Sequence, residues 1–328
     1  MRIFSGIQPT GRKHLGNYIG AIVQYVAGQD RGEALICIVD LHALTVPFDP
    51  VELRELVYDT AAILLAAGLD PERCILFRQS DVQEHTELTW LLTSVTAKGD
   101  LERMTQYKDK SAKQRELSTA GLFLYPVLMA ADVLAYRAHE VPVGDDQRQH
   151  VELMLDIAVR FNSRFGETLV VPEARIPEIG ARIMDLQDPT SKMSTTSASV
   201  EGTVYVLDEP AQIERKFKRA VTDSGERVHR GADKPGITNL IDILAVVRGV
   251  DPAEVEREFR GVRYGDFKVA VAAAVSAYLA PVRERYNELR ADESRLEAIL
   301  AGGAERARAI AAATLTDVRA VMGVGPPR

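Results

Sequence analysis

Two short segments that lie far apart in the chain contain residue types suited to phosphate chemistry. The first is the turn Ile7-Gln8-Pro9-Thr10-Gly11, followed by His14-Leu15-Gly16-Asn17 at the start of a predicted helix. Glycine at such a junction lets the backbone approach a phosphate, and the amide groups of a helix N-terminus favour negative charge. The second is Lys192-Met193-Ser194-Thr195, whose lysine can neutralise charge that builds on a phosphate. Together they predict a nucleotide site, while the missing Gly-x-Gly-x-x-Gly pattern disfavours a dinucleotide-dependent dehydrogenase.

A predicted helix in the segment LYPVLMAADVLAY carries an acidic residue on an apolar face. Pro126 is expected to mark the start of this helix. Tyr125, Met129 and Asp132 then lie at i, i+4 and i+7, within about 60° of one another on the helix surface. A buried aspartate is costly unless it meets a hydrogen-bond donor. Asp132 therefore either binds a donor on a ligand or caps or pairs within the core, and the residues alone leave both roles open.

Isolated histidines and the single tryptophan are less informative. His42, in VDLHALT, follows a predicted strand at the end where ligands bind in open α/β sheets, but a lone histidine is more often structural. A role near the substrate and a structural role are both open for it. His150 lies on a predicted helix, with no chemistry that the pattern assigns. Trp90, in ELTWLLTSV, is expected on the core-facing side of a helix and has no bearing on substrate choice.

The elements that must position these residues alternate between strands and helices in the first part of the chain. IFSG, ALICIVD, RCILFRQS and HEVPVG are predicted strands, and a long helix is expected from near Asp146, whose side chain suits an N-cap. Between the second and third strands, Asp49 and Pro50 are an N-cap and a first helical residue, with Gly68 as the stop signal. The pattern predicts an α/β fold, a Rossmann-like doubly wound parallel sheet.

Helical patterns without strands follow, and they predict a second, smaller all-helical domain. We expect residues 1–186 to form the Rossmann-like domain, residues 187–292 to form the helical domain, and helices in 293–328 to pack back on the first domain. One short basic run in the helical region contains Arg215, Lys216, Lys218 and Arg219. A solvated helix face and a local nucleic-acid surface are equally good interpretations of that run.

Composition restricts the classes of protein that remain. A net charge of −7 argues against indiscriminate nucleic-acid binding but permits a local basic surface. Cys37 and Cys74 lie in apolar strand-like runs without metal-type spacing, so buried free thiols are expected, with neither a disulfide scaffold nor a zinc site. The N-terminus lacks the features of a secretory signal, and no stretch approaches the roughly 18 apolar residues that a membrane span needs. A soluble, cytoplasmic protein that binds no membrane is expected.

The chemistry-bearing segments resemble those of one enzyme family. HLGN resembles the His-Ile-Gly-His element of class I aminoacyl-tRNA synthetases, and KMSTT resembles their Lys-Met-Ser-Lys-Ser loop. The segments SGIQPTG, LERMTQ, VPVGDDQRQHVEL and PEARIP are similar to the tryptophan branch of that class, and the resemblance covers essentially the whole chain.

This resemblance implies a tryptophan–tRNA ligase: ATP-dependent activation of L-tryptophan to its adenylate, then transfer to tryptophan tRNA. The implied partners are L-tryptophan, ATP and tryptophan tRNA, with a homodimer as the assembly and residues 187–292 as the anticodon-side tRNA-binding domain. ATP would bring Mg²⁺ with it, so neither a metal site in the protein nor a prosthetic group is implied. The implied catalytic residues are His14, Asn17, Lys192, Ser194 and Thr195.

The resemblance also implies which residues bind the two small substrates. For ATP they are Gln8, Thr10, Gly16, Asn17, Lys110, Gly144, Asp145, Asp146, Gln147, Ile183, Lys192, Met193 and Ser194. For tryptophan they are Phe4, Gly6, Gln8, His42, Tyr125, Met129, Asp132, Val141, Val143 and Gln147. Asp132 would accept the indole N–H, which is a donor only, and this contact would discriminate tryptophan from phenylalanine.

The sequence departs from the family motif at one position. Thr195 stands where the loop has its second lysine, and a hydroxyl can hydrogen-bond a phosphate but cannot neutralise it. Lys108 and Lys110, together with Mg²⁺, are expected to compensate. Two alternatives stay open: a tyrosine-specific relative, and a synthetase-like binding or regulatory protein. Thr195 favours only the second of these alternatives.

Overall fold

Within the residues that the structure describes, the sheet has five parallel strands in the order β3-β2-β1-β4-β5. The structure, a computed structural model, describes residues 1–104, 119–144, 147–175, 182–194 and 200–326. The strands are β1 (Arg2–Ile7), β2 (Glu33–Ile38), β3 (Cys74–Arg78), β4 (Glu140–Pro142) and β5 (Glu173–Arg175). Their register pairs Gly6 with Cys37 and Cys37 with Phe77, so β1, β2 and β3 end at one edge. This sheet, covered by helices, confirms the predicted Rossmann-like α/β fold.

Helices cover both faces of the sheet and make up all the longer elements after β5 in the described ranges. Those in the first part are α1 (Leu15–Asn17), α2 (Val23–Gly28), α3 (Asp40–Ala43), α4 (Pro50–Ala66), α5 (Glu84–Thr93), α6 (Lys98–Arg103), α7 (Ala120–Leu134) and α8 (Arg148–Phe165). A π-helical stretch, Tyr18–Ile22, joins α1 to α2. The later helices are α9 (Pro210–Lys218), α10 (Pro235–Arg248), α11 (Pro252–Glu258), α12 (Tyr264–Arg290) and α13 (Glu293–Met322).

Capping explains where α4 begins and ends. The Asp49 carboxylate accepts hydrogen bonds from the backbone N–H groups of Val51 and Glu52, both at 2.9 Å, and Pro50 occupies the first helical position. Gly68 follows the helix with a φ of +113°, a backbone conformation that favours glycine. The predicted start and stop of this helix are confirmed.

Two predicted helix starts need correction or lie outside the described ranges. The helix α7 begins at Ala120, where the Thr119 hydroxyl caps it, so Pro126 lies inside the helix instead of at its start. The helix continues through Pro126, so the helical spacing holds for Tyr125, Met129 and Asp132. The helix α8 begins at Arg148 after Gln147, whereas Asp146, the expected N-cap, lies outside the described residues.

Alternating side chains of the strands feed two cores, one on each face of the sheet. In β2, Ile36 and Ile38 belong to the core that also contains residues of α4, α10 and α12. Leu35 and Cys37 point into the other core, with residues of α7 and α8. Cys37 and Cys74 are both free and buried, which confirms that expectation. One face of the sheet is therefore packed directly against the later helices.

The helix α13 contacts β3 and α4, the helix α12 contacts α4, and the two helices also contact each other. The helix α13 lies along β3, and a Cβ at Gly303 would overlap the carbonyl oxygen of Leu76, so this close approach requires glycine. By length and composition, α12 is apolar enough to cross a membrane, so the expectation that no stretch approaches such apolarity is wrong. Buried residues such as Phe267, Val275 and Leu279 seat α12 in the core, as is usual for such a helix in a globular fold. The boundaries of the two domains stay a prediction.

One surface expectation is wrong, and one basic run is only partly exposed. Trp90 is 73% exposed on α5, because it lies opposite the buried stripe of that helix rather than within it. The basic run on α9 is not a uniform solvated face, since Lys216 is buried and forms an ion pair with Asp208 at 2.6 Å. Arg215 lies 3.1 Å from Glu201, and Lys218 pairs with Glu214 on the same helix.

Candidate active site

Several of the predicted site residues lie at the carboxyl edge of the sheet. Gly6 and Gln8 lie at the end of β1, His42 lies just after β2, and Val143 follows β4. Because all these strands are parallel, their carboxyl ends lie along the same edge. Crevices at this edge bind ligands in doubly wound folds.

The turn after β1 is held from beneath by a buried lysine. The Lys13 ammonium donates to the carbonyl oxygens of Gln8 at 2.6 Å and Thr10 at 3.4 Å, and Gly11 adopts a φ of +60°. Burial lowers the pKa of Lys13 to about 8, although the nearby Asp59 carboxylate opposes this shift. The Gln8 and Thr10 side chains face outward, where a nucleotide can reach them.

His14 and Asn17 form a reciprocal cap at the start of α1. The His14 Nδ1 atom accepts a hydrogen bond from the Asn17 backbone N–H at 3.2 Å, and Asn17 Oδ1 accepts one from the His14 N–H at 3.2 Å. Gly16 lies between them, where a Cβ would be 3.1 Å from the imidazole ring and 3.7 Å from Ile183. Since Nδ1 is an acceptor, a neutral His14 carries its hydrogen on Nε2 and offers it as a donor.

The surroundings of His14 keep its imidazole neutral. Burial, together with the positive charges of Lys192 and Lys13, lowers the pKa of His14 to about 4. At neutral pH this side chain is therefore a hydrogen-bond donor to a ligand and not a cation.

The low pKa of His14 predicts that the folded protein loses stability in mild acid, and that replacing His14 removes this loss. An unfolded histidine titrates near 6.5 and folded His14 near 4, so the unfolded chain binds more protons between these values. Stability is complete above the unfolded value, falls as pH drops below 6.5, and stops falling below about 4. Between pH 7 and pH 5 we expect a loss of about 2 kcal/mol from this group. Urea unfolding at both pH values should show a smaller loss for His14→Gln than for the parent, and equal losses would contradict the assignment.

The second half of the nucleotide signature is a tight antiparallel turn. The Met193 N–H donates to the Ile183 carbonyl at 3.0 Å, the Asp185 N–H donates to the Ser191 carbonyl at 2.9 Å, and Met184 pairs with Lys192. Met193 and Ile183 are buried, whereas the Lys192 side chain is exposed. This turn presents a cation towards His14 while its apolar residues anchor it to the core.

Asp132 is the centre of a buried hydrogen-bond network. Its Oδ2 atom lies 2.7 Å from His42 Nε2, and its Oδ1 atom accepts from Gln79 Nε2 at 2.6 Å and lies 2.6 Å from His85 Nδ1. His85 Nε2 in turn lies 2.6 Å from the Tyr136 hydroxyl. Burial alone would raise the pKa of Asp132, but the charges and hydrogen bonds of His42 and His85 outweigh it and hold that pKa well below its usual range. An ionised carboxylate is therefore maintained in a side chain that is 2% exposed.

These three hydrogen bonds fill most of the acceptor capacity of Asp132. A carboxylate has roughly four acceptor positions, so the contacts with described residues leave about one open on Oδ2. His42 lies beside that position, with its ring 6.3 Å from the ring of Tyr125. The Tyr125 hydroxyl lies 2.8 Å from His150 Nε2, which identifies a structural partner for His150.

The remaining predicted residues divide into three groups. Phe4 stacks on Tyr136 at 5.6 Å and is buried with Val141 and Val143, while Met129 is half-buried on α7. Gly144 and Gln147 are exposed before α8, joined by a hydrogen bond from the Gln147 N–H at 3.0 Å. The predicted residues Lys110, Asp145, Asp146 and Thr195, and the accompanying Lys108, lie outside the described residues.

Gln79, His85 and Tyr136 are network residues that the sequence reasoning missed. Gln79 Oε1 accepts from the Leu41 N–H at 3.1 Å, so this fully buried amide links the segment of His42 to Asp132. His85 could have been found, because it lies at helical spacing from the apolar residues Leu88 and Leu92 on one face of α5. For Gln79, one residue after a strand, the sequence carries no comparable signal.

Within the described ranges, no group of three or more His, Cys, Asp or Glu side chains is arranged to hold a metal ion. The cations near the turn after β1 include Lys13 and Lys192. The described residues thus provide positive charge and N–H donors of the kind that bind a nucleoside triphosphate.

Comparison with known proteins places this chain in a family. Residues 1–280 match the family described as tRNA synthetases class I (W and Y), and the chain belongs to that family. Tryptophan--tRNA ligase 2 of Streptomyces avermitilis is 49% identical over 330 residues, covering 100% of this chain and 98% of that protein. The ligase of Caldanaerobacter subterraneus is 48% identical over 324 residues, covering 98% of each.

Solved structures agree with the sequence comparison. The tryptophanyl-tRNA synthetase of Mycoplasma pneumoniae is 34% identical with a TM-score of 0.90, covering 99% of this chain and 98% of that one. The Campylobacter jejuni enzyme, complexed with ADP and tryptophan, is 37% identical with a TM-score of 0.85, covering 99% of this chain and 100% of that one.

Proposed function

We propose that this chain activates L-tryptophan with ATP and transfers the tryptophanyl group to tryptophan tRNA. The observation that carries this conclusion is the combination of a two-part nucleotide signature with a buried, ionised Asp132. Relatives with about half of their residues identical over the full chain are tryptophan–tRNA ligases, which supports the same reaction and disfavours the tyrosine-specific alternative.

The reaction has two steps on one site. A carboxylate oxygen of tryptophan attacks the α-phosphorus of ATP, the bond to the bridging oxygen of the β-phosphate breaks, and pyrophosphate leaves. A ribose hydroxyl at the end of the tRNA then attacks the acyl carbon of the adenylate, and AMP leaves. No covalent enzyme intermediate is needed, so catalysis consists of positioning and electrostatic stabilisation.

The described residues suit distinct parts of the first step. His14 Nε2 donates to a phosphate oxygen, Lys192 neutralises the charge that builds on the leaving pyrophosphate, and Asn17 holds the imidazole. Gly16, Ile183 and Met193 form the surface against the adenosine. Mg²⁺ enters with ATP as part of the substrate. The ADP complex of the Campylobacter relative supports nucleotide binding by this fold.

Tryptophan recognition rests on the free acceptor position of Asp132. The indole N–H donates to Oδ2, next to His42, and Tyr125 and Met129 on the same helix line the ring. Phe4, Val141 and Val143 close the apolar side of this pocket, and Gln147 and Gly144 lie where the amino group and the ribose meet. The tryptophan complex of the same Campylobacter relative supports tryptophan binding by this fold.

The assembly and location are part of the proposal. Residues 187–292 form the anticodon-side tRNA-binding domain, and the protein works as a homodimer in the cytoplasm, where tRNA is charged for translation. Light scattering on the purified protein should give the mass of two chains.

Amino-acid-dependent exchange of labelled pyrophosphate into ATP tests the activity. We expect exchange with tryptophan and none above background with tyrosine or phenylalanine, followed by acylation of tryptophan tRNA. Exchange stimulated by tyrosine alone would overturn the specificity. Adenylate formation without acylation of tRNA would favour the binding or regulatory alternative.

A further inference from the structure

One segment, Thr203–Asp208, touches both halves of the nucleotide signature, and we refer to it as the bridging segment. The Leu15 N–H donates to the Val204 carbonyl at 2.8 Å, and the Val206 N–H donates to the Lys13 carbonyl at 2.9 Å. These two bonds flank His14, which pairs with Tyr205. On the other side, the Thr203 hydroxyl donates to the Ser194 carbonyl at 3.0 Å. The bridging segment therefore sets where His14 lies relative to the turn that carries Lys192.

A buried ion pair from α9 holds the bridging segment at both ends. The Lys216 ammonium donates to the Thr203 carbonyl at 2.7 Å and to Asp208 Oδ2 at 2.6 Å. Asp208 Oδ2 also accepts from the Tyr205 backbone N–H at 2.9 Å. Lys216 is 2% exposed and Asp208 is 1% exposed, so both charges are withdrawn from water. A single ammonium group thus contacts both ends of the bridging segment and holds them together.

The surface side of the same loop is held by Arg12. Its guanidinium donates to Asp208 Oδ1 at 3.2 Å and lies 4.2 Å from the centre of the Tyr205 ring. Lys216 lies 4.8 Å from the centre of that ring. Two cations on one aromatic ring fix its position, and Tyr205 is the residue paired with His14.

The energetics indicate that the Lys216–Asp208 ion pair contributes something other than net folding stability. Withdrawing two charges from water is costly, and replacing a buried pair with apolar residues is often neutral or stabilising. What an ion pair with directed hydrogen bonds supplies is a fixed geometry. The geometry it fixes here is that of the segment between the two parts of the nucleotide site.

We propose that Lys216 and Asp208 are positioning residues for adenylate formation, which act by holding the bridging segment between His14 and the Lys192 turn. Neither residue belongs to the two motifs, and Lys216 extends from α9, within the predicted helical domain. The pair thus connects that helical region to the site of ATP activation. This inference rests on the proposed assignment of ATP to the two-part signature.

The test compares Lys216→Met with Lys218→Met in pyrophosphate exchange. Lys218 lies two residues further along the same helix, half exposed and paired only with Glu214, so it is the matched control. We expect Lys216→Met to lower kcat for exchange by about 10- to 100-fold, because a displacement of about 1 Å in a reacting geometry costs rates of that order. Tryptophan affinity, measured by calorimetry without ATP, should stay within about twofold, since none of the Asp132 network contacts involve the bridging segment.

A folded Lys216→Met variant with the parent's kcat would overturn the inference. So would an equal loss of kcat and tryptophan affinity, because that result indicates a general structural role. If Lys216→Met does not fold, the double variant Asp208→Asn/Lys216→Gln leaves no unpaired buried charge and is measured instead, with the same two outcomes. Failure of the unmodified protein to exchange pyrophosphate would refute the proposed function, whereas failure confined to these variants concerns the positioning role alone.

Discussion

Replacing Asp132 with asparagine is expected to weaken tryptophan binding by about 10²- to 10³-fold while ATP binding stays close to that of the parent. The carboxylate meets donors from His42, Gln79 and His85, and an asparagine must turn its own N–H₂ group towards at least one of them. A donor facing a donor in a buried site costs a hydrogen bond and the desolvation of both groups. The charge that attracts the indole N–H is lost as well.

Two binding measurements and one control separate this effect from general damage. Calorimetry with tryptophan gives the first affinity, and calorimetry with a non-hydrolysable ATP analogue gives the second. Asp156→Asn, on the exposed face of α8, changes the same chemical group without touching the network and should leave both affinities unchanged. If Asp132→Asn weakens both ligands equally, Asp132 is a structural residue of the core and its assignment to the indole is wrong.

The sheet was open to prediction because its strands carry a local signal. Ile36 and Ile38 of β2 enter one core while Leu35 and Cys37 enter the other, and strands buried on both faces read as continuous apolar runs. Asp49 and Pro50 predict the start of α4 for an equally local reason, since the cap and the first helical residue are neighbours in sequence. Local patterns of this kind survive folding because no distant contact is needed to create them.

For Trp90, residue type alone predicts the wrong helix face, whereas the helical period predicts the right one. The buried residues His85, Leu88 and Leu92 define one face of α5, and Trp90 is two residues from Leu88, about 200° round the helix. The helical period therefore places Trp90 on the outer face, despite its size and apolar character. Pro126 is a similar case, because a proline at a first turn and one inside a long apolar helix look alike in sequence.

The site itself combines predictable positions with unpredictable partners. The residue types of His14 and Lys192 indicate phosphate chemistry, but their proximity depends on the bridging segment, which comes from a third part of the chain. Lys216 appears in sequence as one of four clustered cations, and only the fold distinguishes it from its exposed neighbours. Partners such as Gln79 lie in contact with Asp132 because two βα connections meet at one edge, which is a property of topology.

Substituting methionine for Lys192 is expected to lower kcat for pyrophosphate exchange by about 10²- to 10³-fold, the range found when one preorganised donor is removed from an active site. Methionine keeps most of the volume of the side chain, and the pairing of residue 192 with Met184 uses the backbone, so the turn should persist. The loss should fall on kcat, because the charge that Lys192 meets develops as the bond to pyrophosphate breaks. Tryptophan affinity should not change.

A second readout links this effect to the geometry of the site. Burial is the larger cause of the low pKa of His14, and the charge of Lys192 adds to it. In Lys192→Met the pKa of His14 should therefore rise from about 4 but stay below 6.5, which NMR titration of the imidazole can follow. Lys98→Met, at an exposed lysine paired with Glu102, is the control and should change neither quantity. A slower exchange reaction with an unchanged His14 pKa would mean that Lys192 acts on ATP from a position remote from His14, and the two halves of the signature would then not share one site.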